Sequence, residues 1–256
     1  MILKQLNYIK GINVGVYIKT NSHSEDKFKI SKKALDLIIP AEIKNDSFYH
    51  LLNSVAQLSE VKNILEIGSS SGQGSTEALV SGIRNRRDSS EVSLFCMEIS
   101  KARYLMLQEA YKSDNFVKCY NLSSIASNEF PLESEIINFY NCVRTTLNRY
   151  PLQTILSWYS QDLDYINQNG IAINGIKHIK EENKLNNFDL VLIDGSEFTG
   201  ERDLWSVMGS KFIALDDVFA FKCWNAYQTL LHHSSYSLVC CDFNTRNGYA
   251  FFKRIF

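Results

Sequence analysis

A short apolar segment that leads directly into a glycine- and serine-rich bend is the feature that most constrains how this chain can fold. The segment covers residues 63–67, and three glycines follow it: Gly68, Gly72 and Gly74. Apolar residues then recur at helical spacing from Thr76 to Ile83. This order predicts a buried strand, a tight turn and a helix whose first N–H groups are free to contact a ligand. Turns of this kind hold nucleotide-like cofactors at the carboxyl edge of a parallel sheet.

Three kinds of ligand site use such a turn, and the residues distinguish them. The glycine spacing does not match the G-x-G-x-x-G pattern of dinucleotide sites. Residues 68–72 do match the G-x-S-x-G pattern of hydrolases, with Ser70 as the nucleophile. The third ligand, S-adenosylmethionine, carries a sulfonium cation and an amino group but no phosphate. Glu66 at the end of the strand suits this cation, whereas a phosphate would be repelled there.

A second acidic residue follows the next apolar segment. Glu98 ends the segment 92–98 and lies 26 positions after Gly72. An acid at the end of the second strand accepts hydrogen bonds from ribose hydroxyls in doubly wound folds. Taken alone, Glu66 or Glu98 could equally be a helix cap or a surface charge. Together with the glycines they favour an adenosyl cofactor over a hydrolase nucleophile, because a hydrolase needs no such acid.

Three further carboxylates end two later apolar segments. Asp194 closes the segment beginning at Phe188, and Asp216 and Asp217 close the segment beginning at Phe212. In a parallel sheet these strand ends face the same edge, so the three acids should converge, and like charges held in one pocket are costly. A bound divalent cation that prefers oxygen ligands would remove this cost. The alternative is that the aspartates cap the helices that follow their strands.

The glycine bend and its acidic partner resemble the first two motifs of the class I S-adenosylmethionine-dependent methyltransferases. The matching segments are L-E-I-G-S-S-S-G-x-G at 65–74 and F-C-M-E-I-S at 95–100, and the resemblance extends from about Val61 to the C-terminus. It implies the following cofactor contacts: Gly68, Ser70 and Gly72 around the methionine part, Glu66 nearby, Glu98 on the ribose, and Asp194 beside the turn.

The aspartates resemble those of the metal-dependent O-methyltransferases of the catechol and macrocin types. This resemblance implies Asp194, Asp216 and Asp217 as metal ligands. The macrocin-type motif Asp-Gly-Asp is incomplete here, because Ser196 stands in place of its second acid. Catechol-type enzymes carry a lysine base three residues after the first aspartate, and this chain has Glu197 there. The catalytic base is therefore unassigned.

These motifs predict an enzyme that transfers a methyl group from S-adenosylmethionine to a hydroxyl of a sugar or another small polyol-bearing molecule. The sequence predicts that a divalent cation such as Mg²⁺ assists by binding vicinal hydroxyls. Two alternatives stay open. One is a serine hydrolase that uses Ser70, and the other is a non-catalytic module that binds S-adenosylmethionine.

The predicted fold is α/β, a doubly wound Rossmann-like seven-stranded sheet whose last strand is antiparallel. The terminal strands are expected at 235–243 and 249–254, because an Asn-Gly turn signal lies between them. Residues 1–60 should form an N-terminal extension with a strand at 14–19 and a helix at 47–58 capped by Asp46. Residues 61–256 should form the methyltransferase domain.

The connection between the third and fourth strands is unusually long. Residues 123–187 separate them, whereas a crossover needs only one helix and two short loops. Helical patterns occur at 135–147, 152–166 and 176–184. The part from 123 to about 170 is predicted to be a helical insertion, and the sequence leaves open whether it forms a substrate lid or an oligomerisation hairpin.

Composition predicts an ordinary cytoplasmic enzyme with a small-molecule acceptor. The net charge of −1 gives no reason to expect a nucleic-acid partner. No apolar run approaches the ~20 residues that span a bilayer, and no signal peptide pattern opens the chain. The six cysteines lack paired metal spacing and are expected to be reduced thiols. A homo-oligomer is left open.

Overall fold

A seven-stranded sheet runs through residues 35–255, the part of the chain that the computed structural model describes. The strands are β1 Asn63–Ile67, β2 Ser93–Met97, β3 Val117–Tyr120, β4 Leu190–Ile193, β5 Phe212–Asp216, β6 Tyr236–Asp242 and β7 Tyr249–Arg254. Their order in the sheet is β3-β2-β1-β4-β5-β7-β6. The first five strands pair in parallel, and β7 is antiparallel to both β5 and β6. The predicted fold class is confirmed, and the predicted strand at 14–19 lies outside the described residues.

Helices flank the sheet on both faces. They are α1 Ser47–Ala56, α2 Ser75–Arg84, α3 Lys101–Ala110, α4 Glu133–Cys142, α5 Leu152–Gln168, α6 Gly175–Asn183, α7 Gly200–Val207 and α8 Phe221–His232. None of the helices in residues 35–255 combines the length and the hydropathy needed to cross a bilayer. All six cysteines have free thiols, as expected from the sequence.

Alternate residues of each central strand enter two separate cores. In β1, Ile64 packs into the core that holds α1 and α2, whereas Leu65 and Ile67 pack into the core on the opposite face. Because side chains point to opposite faces in turn, a strand covered by helices on both sides must be apolar at nearly every position. This requirement explains why β1, β4 and β5 could be recognised as continuous apolar runs.

Helix α1 belongs to the same compact unit as the sheet. Asp46 caps it as predicted, since its carboxylate accepts a hydrogen bond from the Tyr49 N–H over 2.8 Å. Its buried face packs on α2 at Gly82, where a Cβ would lie 2.4 Å from the carbonyl oxygen of Asn53. The unit begins at Leu35, and the division predicted near residue 60 stays a prediction.

The insertion after β3 has a small core of its own. Buried side chains of α4 and α5 meet Phe198, which lies in the loop after β4. The helix predicted over 135–147 ends earlier, at Cys142. The chain instead turns at Thr145, whose hydroxyl accepts from the Leu147 N–H over 3.3 Å, and the Thr146 N–H donates to the carbonyl of Phe219 over 2.9 Å. This anchoring ties the insertion to the loop after β5.

Candidate functional site

A cavity of about 490 Å³ opens at the carboxyl ends of the parallel strands. Its walls come from the glycine bend after β1, the ends of β2, β4 and β5, the insertion helix α5, and the segment 39–43 that precedes α1. Both its volume and its place at the strand ends are typical of cofactor sites in open α/β sheets. The sequence motifs therefore meet around one cavity.

The glycine bend lies closely against the end of β4. The N–H groups of Gly68 and Ser69 donate to the carbonyl of Met97 over 3.0 and 2.9 Å. Gly68 has a φ of +90°, and a Cβ there would lie 2.1 Å from the carbonyl oxygen of Asp194. Only glycine permits both this backbone conformation and this approach. Gly68 thus brings the ends of three strands together at the cavity.

Glu98 is fixed against the same bend. Its two carboxylate oxygens accept hydrogen bonds from the Ser70 N–H over 2.8 Å and from the Ser100 N–H over 2.7 Å. Ser70 adopts the left-handed conformation, with a φ of +50°, which directs its N–H to Glu98. Burial raises the pKa of Glu98, although Arg103 and the two N–H groups oppose this effect. The carboxyl group is held rigidly at the cavity wall, as a ribose contact requires.

Two of the six residues predicted to contact the cofactor lie behind the cavity wall. Glu66 is fully buried, and one of its oxygens accepts from the Thr76 hydroxyl over 2.7 Å, while the other has no partner among the described residues. The carbonyl of Gly72 accepts from the Tyr111 hydroxyl over 2.5 Å. Neither Glu66 nor Gly72 lines the cavity, since each bonds to a residue behind the wall, and their contact with the cofactor stays a prediction. The other four do line it: Gly68, Ser70, Glu98 and Asp194.

The three carboxylates predicted to converge do lie together. One oxygen from each of Asp194, Asp216 and Asp217 lies within 4.8 Å of the others. Asp217 follows the end of β5 with a φ of +57°, which turns its side chain back towards the cavity. Burial and the neighbouring Asp217 raise the pKa of Asp216 to about 6, despite the attraction of Arg246.

Sequence reasoning did not foresee the two cations in this acidic cluster. The Lys222 ammonium group lies 2.7 Å from Asp194 Oδ1 and 2.6 Å from Asp217 Oδ2. The Arg246 guanidinium lies 2.7 Å from Asp216 Oδ1. Burial by itself would lower the pKa of Lys222, but the surrounding carboxylates raise it well above its ordinary value.

Little in the sequence marks these cations. Lys222 lies in the first turn of α8, where its sequence position does not distinguish it from a solvent-exposed basic residue. Arg246 lies in the turn before β7. The Asn-Gly signal at Asn247 predicted the hairpin turn, yet not that the turn reaches the site. Asn247 lines the cavity and donates to Asp217 Oδ1 over 3.0 Å.

The arrangement does not fit a divalent cation beside these lysine and arginine groups. A Mg²⁺ ion at its usual ~2.1 Å from Asp217 Oδ2 would lie no more than about 4.7 Å from the Lys222 nitrogen, which is itself 2.6 Å from that oxygen. At that separation the repulsion is about 7 kcal/mol for an effective dielectric constant of 20. Coordination through this oxygen therefore competes with its ion pair to Lys222. The structure thus brings the predicted ligands together, and the metal itself stays a prediction.

Glu197 and the insertion helix complete the wall near the acidic cluster. Glu197 accepts from the Lys222 N–H over 3.3 Å, and burial raises its pKa to about 7. From α5, Trp158 and Asp162 face the cavity, and the Ser196 hydroxyl donates to Asp162 over 2.5 Å. Burial raises the pKa of Asp162 to about 6. The helical pattern predicted α5 but not which of its residues face the site.

The hydrolase alternative finds no support at Ser70. A serine nucleophile needs a base within hydrogen-bond reach, usually a histidine. No histidine among residues 35–255 lines the cavity. The Ser70 N–H is also committed to Glu98, so this turn serves the acid at the end of β2 rather than a catalytic triad.

Comparison with known proteins agrees with this fold. No protein-family model matches the sequence, and no curated protein sequence matches it. Among solved structures, the chain is similar to the O-methyltransferase TomG from Streptomyces achromogenes in complex with S-adenosylmethionine, at 12% identity and a TM-score of 0.51, over 97% of this chain and 95% of that chain. It is also similar to the O-methyltransferase from Bacillus cereus in complex with S-adenosylhomocysteine, at 14% identity and a TM-score of 0.49, over 97% and 96% of the two chains.

At such identities a likeness establishes architecture alone. The order of the seven strands, the antiparallel β7 and the cavity at the carboxyl ends all belong to one known arrangement. The chain therefore has the fold of the class I S-adenosylmethionine-dependent methyltransferases, as its sequence motifs implied.

Proposed function

We propose that this protein transfers the methyl group of S-adenosylmethionine to a hydroxyl group of a small acceptor. The observation that carries this proposal is the single cavity that joins the Gly68 bend, Glu98 and the acidic cluster. The bend and Glu98 suit the methionine and ribose parts of the cofactor. The acidic cluster lines the same space, where an acceptor can approach the methyl group.

The charge of the cavity favours a cationic cofactor over a phosphate-bearing one. Among residues 35–255, six carboxyl side chains line it against two basic ones, Arg103 and Lys222; the acids are Glu42, Glu98, Asp162, Asp194, Glu197 and Asp217. An excess of acids stabilises the sulfonium and ammonium groups of S-adenosylmethionine and would repel a pyrophosphate. This excess supports the adenosyl sulfonium as the ligand of the glycine bend.

Methyl transfer mainly requires the protein to align the cofactor with the acceptor. The acceptor oxygen forms a bond to the methyl carbon while the carbon–sulfur bond breaks, and its electron pair stays on the sulfur of S-adenosylhomocysteine. Holding the oxygen in line with that bond removes much of the entropic barrier. We infer that Glu197 takes the hydroxyl proton, because it lines the cavity and its pKa of about 7 suits a general base at neutral pH.

The wall formed by the insertion supports a sugar or another polyol as the acceptor. Trp158 and Phe130 offer aromatic faces to the cavity, and Asp162, Ser196 and Asn247 offer hydrogen-bonding groups beside them. Aromatic faces and convergent polar groups are the combination that binds sugar rings. The insertion accordingly acts as part of the acceptor site in this proposal, which favours the lid over the oligomerisation hairpin.

Calorimetry with S-adenosylhomocysteine tests the cofactor, and a labelled-methyl assay on a set of sugars and polyols tests the reaction. We expect one binding site per chain and methyl incorporation into at least one hydroxyl acceptor. Binding without turnover on any acceptor would support the non-catalytic module instead. No binding, together with labelling of Ser70 by a fluorophosphonate probe, would support the hydrolase and refute this proposal.

A further inference from the structure

The side chain of Lys222 lies where a divalent cation would bind between Asp194 and Asp217. We propose that the ammonium group of Lys222 is the resident cation of this acidic cluster, so that the protein works without a divalent metal ion. The catalytic consequence of this inference rests on the methyl transfer proposed above. It departs from the divalent cation that the sequence predicted.

Close packing fixes the backbone that carries Lys222. The carbonyl oxygen of Lys222 lies so near Gly200 that a Cβ at Gly200 would come within 1.8 Å of it. The Lys222 N–H also donates to Glu197, and the thiol of the next residue, Cys223, donates to the carbonyl of Ile193 over 3.7 Å. Helix α8 therefore starts at a fixed point against β4 and α7. A shift of the helix cannot withdraw the ammonium group from the cluster.

Other side chains occupy two of the four remaining carboxylate oxygens. Arg246 donates to Asp216 Oδ1 over 2.7 Å, and Asn247 donates to Asp217 Oδ1 over 3.0 Å. With the two contacts of Lys222, four of the six oxygens of the cluster already have a partner. A metal ion bound by all three aspartates would have to share an Asp217 oxygen with Lys222 or Asn247, so the donor set suits ammonium, guanidinium and amide groups.

The same groups offset two of the three negative charges of the cluster, although Arg246 also pairs with Asp46. Lys222 and Arg246 together contribute two positive charges, which is the charge of one divalent cation. The cluster is only partly exposed to water, since 19% of the Asp194 side chain, 11% of the Lys222 side chain and 2% of the Asp216 side chain are accessible. Without the internal cations the three carboxylates would repel one another.

In the proposed reaction the ammonium group of Lys222 stabilises negative charge, as a metal ion does in other sites. The acceptor O–H gives its proton to Glu197, and the oxygen attacks the methyl carbon. As negative charge develops on that oxygen, the ammonium group of Lys222 stabilises it from the cavity wall. The ammonium group keeps its own protons throughout, so the reaction needs no further acid or base.

A Mn²⁺ titration followed by electron paramagnetic resonance tests this inference on the full-length chain. The variants are Lys222→Met, which removes the charge but keeps the length, and Lys180→Met as the control. Lys180 is partly buried and donates to the carbonyl of Ser206 over 2.8 Å, away from the cluster. We expect no saturable Mn²⁺ site in the wild type or in Lys180→Met, and at least about tenfold tighter Mn²⁺ binding in Lys222→Met because the repulsion is gone.

Stoichiometric Mn²⁺ binding by the wild type, or equally weak binding by wild type and Lys222→Met, would overturn the inference. If Lys222→Met does not fold, the unfolding temperature of the wild type alone tests the inference. An unfolding temperature that is the same in chelator and in Mn²⁺ supports the resident ammonium, and a rise with Mn²⁺ refutes it. Calorimetry with S-adenosylhomocysteine on the same samples separates the two proposals, because lost cofactor binding counts against the proposed function and leaves the Mn²⁺ comparison valid.

Discussion

Replacement of Gly68 by alanine should damage both the fold and the cofactor site. The new Cβ would lie 2.1 Å from the carbonyl oxygen of Asp194 and 2.9 Å from the Cα of Gly195. Both neighbours are backbone atoms, so the bend and the end of β4 must move apart by more than 1 Å to reach ordinary contact distance, roughly 3.5 Å. The φ of +90° adds conformational strain to any residue with a Cβ.

The expected loss follows from these two contributions. A left-handed conformation costs alanine about 1–2 kcal/mol, and overpacking against a rigid neighbour costs about 1–3 kcal/mol. Gly68→Ala should therefore lower the free energy of unfolding by roughly 2–5 kcal/mol. Gly170→Ala is the matched control, because Gly170 also has a positive φ, of +67°, yet a Cβ there would meet no atom within 4 Å. It should lose only the conformational part, about 1–2 kcal/mol.

Urea unfolding of the wild type and the two variants measures these values, and calorimetry with S-adenosylhomocysteine measures the site. We expect Gly68→Ala to weaken cofactor binding by more than about tenfold, since the bend must separate from Asp194. Gly170→Ala should bind as the wild type does, because Gly170 does not line the cavity. Equal losses of stability in the two variants would show that the close approach of Gly68 to β4 has no energetic importance.

Three further substitutions test the site and its charges. Glu98→Gln should weaken binding of S-adenosylhomocysteine by about 10- to 150-fold, because hydrogen bonds to a charged group contribute about 1.5–3 kcal/mol; unchanged affinity in calorimetry would contradict the ribose contact. The turnover of the wild type should rise with pH through about 7 as Glu197 ionises. Glu197→Gln should lower kcat by about 10²- to 10⁴-fold and abolish that rise. If both proteins show the same pH–rate profile, Glu197 is not the general base. Burial raises the pKa of Asp203 from 3.8 to about 7, so the folded state keeps a proton that the unfolded state loses, and stability falls as the pH rises from about 4 to 7. Asp203→Asn should remove up to about 4 kcal/mol of that fall, as measured by urea unfolding at several pH values. If the free energy of unfolding depends on pH equally in the wild type and in the variant, the raised pKa does not belong to Asp203.

The local sequence was enough to predict the strands and most of the site's carboxyl groups. Continuous apolar runs predict strands buried on both faces, and the parallel sheet then places every strand end on one edge. For this reason the sequence alone brings Glu98, Asp194 and Asp217 to the edge where they line the cavity, with Asp216 beside them. The same holds for the cap of α1, because Asp46 acts on an N–H group only three residues away.

Tertiary structure decided which of these groups face the ligand and what neutralises them. Glu66 lies one residue before the end of the strand that leads into the bend, yet it bonds to Thr76 in the helix beyond the bend. Lys222 lies 28 residues along the chain from Asp194 but only five from Asp217, and Arg246 lies 30 residues from Asp216. Such contacts depend on how α8 and the β6–β7 turn dock on the sheet. Sequence periodicity does not encode that docking, since it reports which side of an element is buried but not what lies opposite.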